Sequence, residues 1–136
     1  MILVPALLSL LLGTVFVGLL AKLVIRLARR YTLAWRTAFA YGALVTAAGV
    51  AGLLLRFFSG VVVPGLLGAA IAVVFHALMG GWFLGTRVKD RDGQPAGFRR
   101  GALFGLLVFG AVLALGFVFG ALQGVMEVQR GTVAPI

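Results

Sequence analysis

The chain has 136 residues, 62% of them hydrophobic and 11% charged, with a net charge of +9 and no cysteine. This composition excludes a water-soluble globular domain, and the missing cysteines exclude disulfides, thiolate metal sites and cysteine nucleophiles. Runs free of Asp, Glu, Lys and Arg cover residues 1–21, 37–55, 57–86 and 101–126. Each is long enough for the about 20 helical residues that cross a hydrocarbon core of roughly 30 Å. They lack the alternation of barrel strands, so the sequence predicts one all-α integral membrane domain over 1–136 with four transmembrane helices.

The first run, MILVPALLSLLLGTVFVGLLA, has no basic residue at its front and is longer than the about 7–15 apolar residues of a secretory leader. It is read as a span. In the segment that follows, Leu20, Leu23, Val24 and Leu27 recur at helical spacing opposite Lys22, Arg26, Arg29 and Arg30. The span is therefore expected to continue as a basic helix that leaves the hydrocarbon or bends along its surface, with Tyr31 and Trp35 in the interfacial belt. Anchoring and orientation are the plain role of this stripe, and docking of a partner or an anionic headgroup the sharper one.

The second span offers small residues Ala43, Ala47 and Ala51, carries Thr46, and ends at Arg56. An ion pair between Arg56 and Glu127, at the outer ends of spans two and four, would clasp the bundle. It would be worth only about 0–1 kcal/mol near water.

Span three holds His76, the only histidine. Gly68, Ala72, His76 and Gly80 recur every four residues, which puts the ring on a lane of small residues facing another helix. The plain reading is a neutral imidazole bonded across helices to Thr46 or Thr14. The functional reading is a proton-sensitive or solute-contacting group, because free imidazole titrates near pH ~6.5. The loop TRVKDRDGQPAGF then reads as a hydrophilic turn at Asp92-Gly93, in which Lys89 and Arg91 neutralise Asp90 and Asp92 without a metal.

Span four begins with Gly101 and Gly105 and continues, after a change of phase, with Gly116, Gly120 and Gly124. Two faces for two neighbours are expected. GFVFGALQG has no following Lys-Ser/Thr, so it is not a phosphate loop.

A shift of 63 residues lays WRTAFAYGALVTAAGVA over FRRGALFGLLVFGAVLA without a gap, and also pairs Gly18 with Gly81 and Arg26 with Lys89. Two tandem helical hairpins, 1–63 and 64–126, follow from this reading, related by an axis along the membrane normal. Ten of the twelve basic residues fall in the loops about 22–36 and 87–100. The positive-inside rule then places both loops in the cytoplasm and both termini on the other side of a bacterial-type inner membrane.

The charge is juxtamembrane and no nucleic-acid motif accompanies it, so membrane lipids are the expected partners. Anionic headgroups would meet Lys22, Arg26, Arg29, Arg30, Arg36, Arg87, Arg99 and Arg100. No catalytic constellation and no cofactor motif stands out: Ser9 and Ser59 lack a nucleophile context, and no second acid supports paired-carboxylate chemistry. The sequence thus predicts a non-enzymatic membrane protein that works by helix packing, as an accessory or assembly subunit or as a self-associating scaffold. Its partner would be another membrane subunit or its own copies. A small oligomeric channel or transporter lined by His76 and Thr46 is the alternative, and an enzyme acting on lipid a weaker one.

Overall fold

The computed structural model describes residues 3–60 and 62–131. Its regular structure is helical apart from two strands of two residues each. In chain order it contains α1 (Leu3–Leu27), β1 (Tyr31–Thr32), α2 (Trp35–Ser59) and α3 (Gly65–Met79). A π-helical turn (Gly80–Leu84), α4 (Gly85–Arg87), β2 (Lys89–Asp90) and α5 (Phe98–Gly131) follow. Four stretches, Leu10–Leu27, Trp35–Ser59, Gly65–Arg87 and Phe98–Met126, are long and apolar enough to cross a membrane, as expected of a multi-pass membrane protein.

The helices pack in the order α2, α1, α5, α3. The core gathers at the end of the molecule that carries the two basic loops. There Ala21, Ile25, Leu33, Tyr41, Leu84 and Val88 are buried together with Phe83, Phe104 and Val108. At the other end α2 is exposed from residue 51 and α5 from residue 116 to 126, and α3 buries nothing. The molecule is packed at its loop end and open at its far end.

Small residues explain why packing succeeds where it does. A Cβ added to Gly42 would run into the backbone of Thr14 and Gly18, and one added to Gly105 into the backbone of His76 and Gly80. A Cβ on Gly80 would lie 2.5 Å from the Gly101 carbonyl oxygen. In a membrane, where lipid removes most of the hydrophobic drive between helices, such backbone approach is a main source of helix association.

The two helix pairs meet through matching residues. Ala21, Ile25, Ala38, Tyr41 and Gly42 in the first occupy the places of Leu84, Val88, Gly101, Phe104 and Gly105 in the second, all at the expected spacing of 63. Before the π turn the spacing is 62. Gly18 lies against the Ala38 carbonyl as Gly80 lies against that of Gly101, and Gly42 meets Thr14 as Gly105 meets His76. Gly18 therefore corresponds to Gly80 rather than to Gly81, because the π turn adds one residue to the helix, closed by Gly85 N–H donating to the Gly80 carbonyl.

The loops depart from the expected forms. α1 ends at Leu27 instead of running on through the basic segment, and Arg29 turns the chain in the left-handed region at φ 48. β1 then pairs antiparallel with β2, Tyr31 opposite Asp90 and Thr32 opposite Lys89, which ties the two loops together. Asp90 shapes its turn directly: its Oδ1 accepts the N–H groups of Asp92 at 3.0 Å and Gln94 at 2.9 Å. Gly93 takes the positive φ of 78 that the reversal needs.

Tyr41 is fully buried and its hydroxyl has no partner among the described residues. Its counterpart in the second pair is Phe104, which fills the same kind of place with no hydroxyl. An unsatisfied buried hydroxyl costs about 1–3 kcal/mol. Tyr41→Phe is therefore expected to stabilise the fold by about 1 kcal/mol, measured as a raised midpoint of thermal unfolding in detergent; a lowered midpoint would mean that the hydroxyl has a partner after all.

Candidate functional site

α2 and α3 are consecutive, yet they make little contact with one another, whereas α1 and α5 pack closely. In a row of four helices with matched pairs, α1 against α5 is the closed seam and α2 against α3 the open one. Between them lies a cleft of about 330 Å³, lined by Val45, Ala48, Gly49 and Gly52 of α2 and by Gly68, Ile71, Ala72, Phe75 and His76 of α3. A second hollow shares Gly49, Gly52, Gly68 and Ile71 with it and continues to Arg56.

His76 is the polar group of this cleft. Its Nδ1 lies 2.8 Å from the Ala72 carbonyl oxygen, one turn back on its own helix. A carbonyl can only accept, so Nδ1 carries the proton and, in the neutral ring, Nε2 is the acceptor. The ring stacks on Phe109 of α5 with centroids 4.2 Å apart and meets Phe75 edge-on at 5.5 Å. The expected partners Thr46 and Thr14 are not its hydrogen-bond partners. Thr46 faces α1, its Cγ2 3.0 Å from where a Cβ on Gly13 would stand, and its hydroxyl is unpartnered among the described residues.

The small-residue lane of α3 is split. Gly80 is buried against α5, while a Cβ on Gly68 would meet only Val63 Cγ1 at 3.8 Å, and Ala72 borders the cleft. On α5, Gly101 and Gly105 lie against Gly80, Gly85 and His76. Gly116, Gly120 and Gly124 have nothing within 4 Å of an added Cβ. The two glycine lanes of α5 thus differ: one has a neighbour in the same chain and the other has none among the described residues.

At the loop end, no ion pair forms among the described residues, although cations far outnumber acids. Lys22 donates to the Leu33 carbonyl, Arg91 Nη2 to the Arg29 carbonyl at 3.4 Å, and Arg100 to the Tyr31 hydroxyl. Arg87 lies over the Phe83 ring at 4.1 Å. Arg26, Arg30, Arg36 and Arg99 stand exposed. The Asp90 carboxylate is occupied by the turn, to which Asp92 gives its backbone N–H, and no cluster of His, Cys, Asp or Glu fit for a metal occurs among the described residues. The proposed Arg56–Glu127 pair lies outside them, because the Glu127 side chain is not described.

Sequence reasoning missed Phe109, which shares no local motif with His76 and reaches it only through the Gly105–Gly80 contact. It also missed the pairing of β1 with β2, since neither dipeptide carries a strand signal by itself. Compared with known proteins, the chain matches no family model, no curated protein and no solved structure.

Proposed function

We propose that this is a non-enzymatic membrane protein acting by helix packing, its loop end a finished bundle and its far end completed by helices of another membrane subunit or of its own copies. The observation that carries this reading is the glycine lane Gly116, Gly120 and Gly124, which is open to close approach yet has no neighbour among the described residues. Glycine facing lipid packs poorly, and the same lane against a partner backbone packs well. The matched helix pairs support a tandem duplication of hairpins, and the gathering of cations at one end supports cytoplasmic loops in a bacterial-type inner membrane, with both termini on the opposite side. Native-mass analysis after gentle extraction from the source membrane tests the proposal. A complex or a defined oligomer is expected, and a bare monomer would remove its support.

The cleft favours a second reading, a small transporter or channel whose path runs from Arg56 past His76 between α2 and α3. An intramembrane imidazole with a free acceptor nitrogen is costly unless it meets water or a solute. On this reading, His76→Phe keeps the stacking on Phe109 and lowers solute or proton flux into liposomes at least about tenfold, the range of a lost general acid–base or polar contact. Equal flux in both proteins would discard this path.

A further inference from the structure

The two matched helix pairs differ most where α1 ends. In the second pair the corner is closed: Gly97 N–H donates to the Gly85 carbonyl at 3.0 Å, and a Cβ on Gly85 would lie 2.8 Å from the Gly97 oxygen. In the first pair the residue at Gly85's place, 63 earlier, is Lys22, and the residue at Phe98's place is Trp35. A lysine cannot make that backbone contact. Its side chain instead reaches the Leu33 carbonyl and lies 5.1 Å from the Trp35 ring centre, which props the corner open.

The result is a hollow of about 370 Å³ with an amphiphilic lining. Ile25, Leu33 and the Trp35 ring form its apolar wall, and Lys22, Arg26 and Arg29 its cationic mouth. Lys22 is committed to Leu33. The guanidinium groups of Arg26 and Arg29 have no hydrogen-bond or ion-pair partner among the described residues. Three like charges over two helical turns repel one another, so the arrangement is suited to an anion between them.

Position decides which anion. Lys22 is five residues before the end of α1, about 7.5 Å along the helix from its end and directly after the uncharged run, where a long basic side chain reaches outward to headgroup level. Trp35 stands at the same level, half-exposed, as aromatic side chains do at headgroup depth. A freely soluble anion would have no use for the apolar wall, whereas the glycerol and upper acyl carbons of a lipid would cover it.

We infer that the hollow between the end of α1 and Trp35 is a specific site for an anionic phospholipid, its phosphate held by Arg26 and Arg29. This rests on the reading that the chain spans a membrane, but not on the packing role of the far end. Left-handed Arg29 adds a useful property: glycine is the residue best fitted to that backbone, so Arg29→Gly removes the charge while relieving the turn.

The test uses the full chain with Trp82→Phe, which leaves Trp35 as the only tryptophan, in nanodiscs of phosphatidylcholine with a minority of phosphatidylglycerol. Either lipid carries brominated acyl chains that quench Trp35. Preferential quenching by the phosphatidylglycerol is expected, falling about tenfold in Arg26→Gln/Arg29→Gly, the effect of losing a charge-assisted contact. Removing the same charge elsewhere, by Lys89→Gln/Arg99→Gln, is expected to change it less than about twofold. Equal losses in both variants would mean diffuse attraction and overturn the site. So would quenching without preference, or a preference abolished by added inorganic phosphate, which would assign the hollow to a soluble anion. A chain that fails to insert would overturn the membrane reading as well, and is recognised by protein absent from the disc fraction.

Discussion

Gly105→Ala is expected to be among the most damaging single-methyl changes in the chain, lowering stability by about 3 kcal/mol, the upper range for overpacking into a rigid neighbour. The added carbon would meet the His76 carbonyl and the Gly80 backbone, neither of which can rotate away as a side chain could. α5 would have to back off from α3 and the π turn, which would also loosen the contact of Gly101 with Gly80 and Gly85. Gly42→Ala should behave alike, since it meets Thr14 and Gly18 in the same fashion. Gly110→Ala and Gly49→Ala are the controls: nothing lies within 4 Å of the added carbon, and each should stay within about 0.5 kcal/mol of the parent. Unfolding in detergent followed by helical circular dichroism measures all four. If Gly105→Ala unfolds where Gly110→Ala does, α5 and α3 do not approach as closely as described.

The second large effect separates folding from assembly. Gly116→Leu/Gly120→Leu should leave the unfolding midpoint of the monomer nearly unchanged, because those glycines are exposed and have no neighbour among the described residues. The same pair should weaken association with a partner or with other copies by at least about tenfold, since two bulky side chains keep helix backbones apart. Energy transfer between labelled copies in liposomes, together with native-mass analysis of material from the source membrane, reads this directly. Unchanged association would assign the contact to another face, such as the α2–α3 cleft. Loss of the monomer fold would show that the lane is already in use within the chain.

These two predictions concern lanes that look alike in the sequence. Periodicity shows that Gly101 and Gly105 share a face, and that Gly116, Gly120 and Gly124 share another. It says nothing of what lies on either, because the neighbour belongs to a distant segment. The spans themselves were legible for a simpler reason: an uncharged run of some 20 residues has few alternatives in lipid. Their ends were not, since Arg56 sits inside α2 and α5 begins at Phe98, ahead of the two arginines that were expected to precede it. Long basic side chains can reach outward from within a helix, so charge marks the interface and not the helix end.

The offset of 63 read from the sequence lays Gly42 on Gly105 and Tyr41 on Phe104, while the contacts of Gly18 resemble those of Gly80, one residue off that offset. Nothing in GGWFL announces a π turn, because the wider ring forms only when the flanking helix is held in place by a neighbour. The His76 environment was half legible. Its small-residue lane pointed to a protein-facing ring, but its bond to Ala72 is within one helix, and its stacking on Phe109 depends on the depth at which α5 crosses α3.

That inserted residue also acts as a rotation. Each residue of an α-helix advances the azimuth by about 100°, so the π turn resets the heading of all of α3 relative to the loop end. Taking it out while the loop end stayed fixed would swing the imidazole of His76 by about that angle, off Phe109 and away from the seam it now borders. The second helix pair thus shows a histidine at the level where the first shows Thr14, so the same glycine-to-backbone contact stands beside an imidazole in one pair and a hydroxyl in the other.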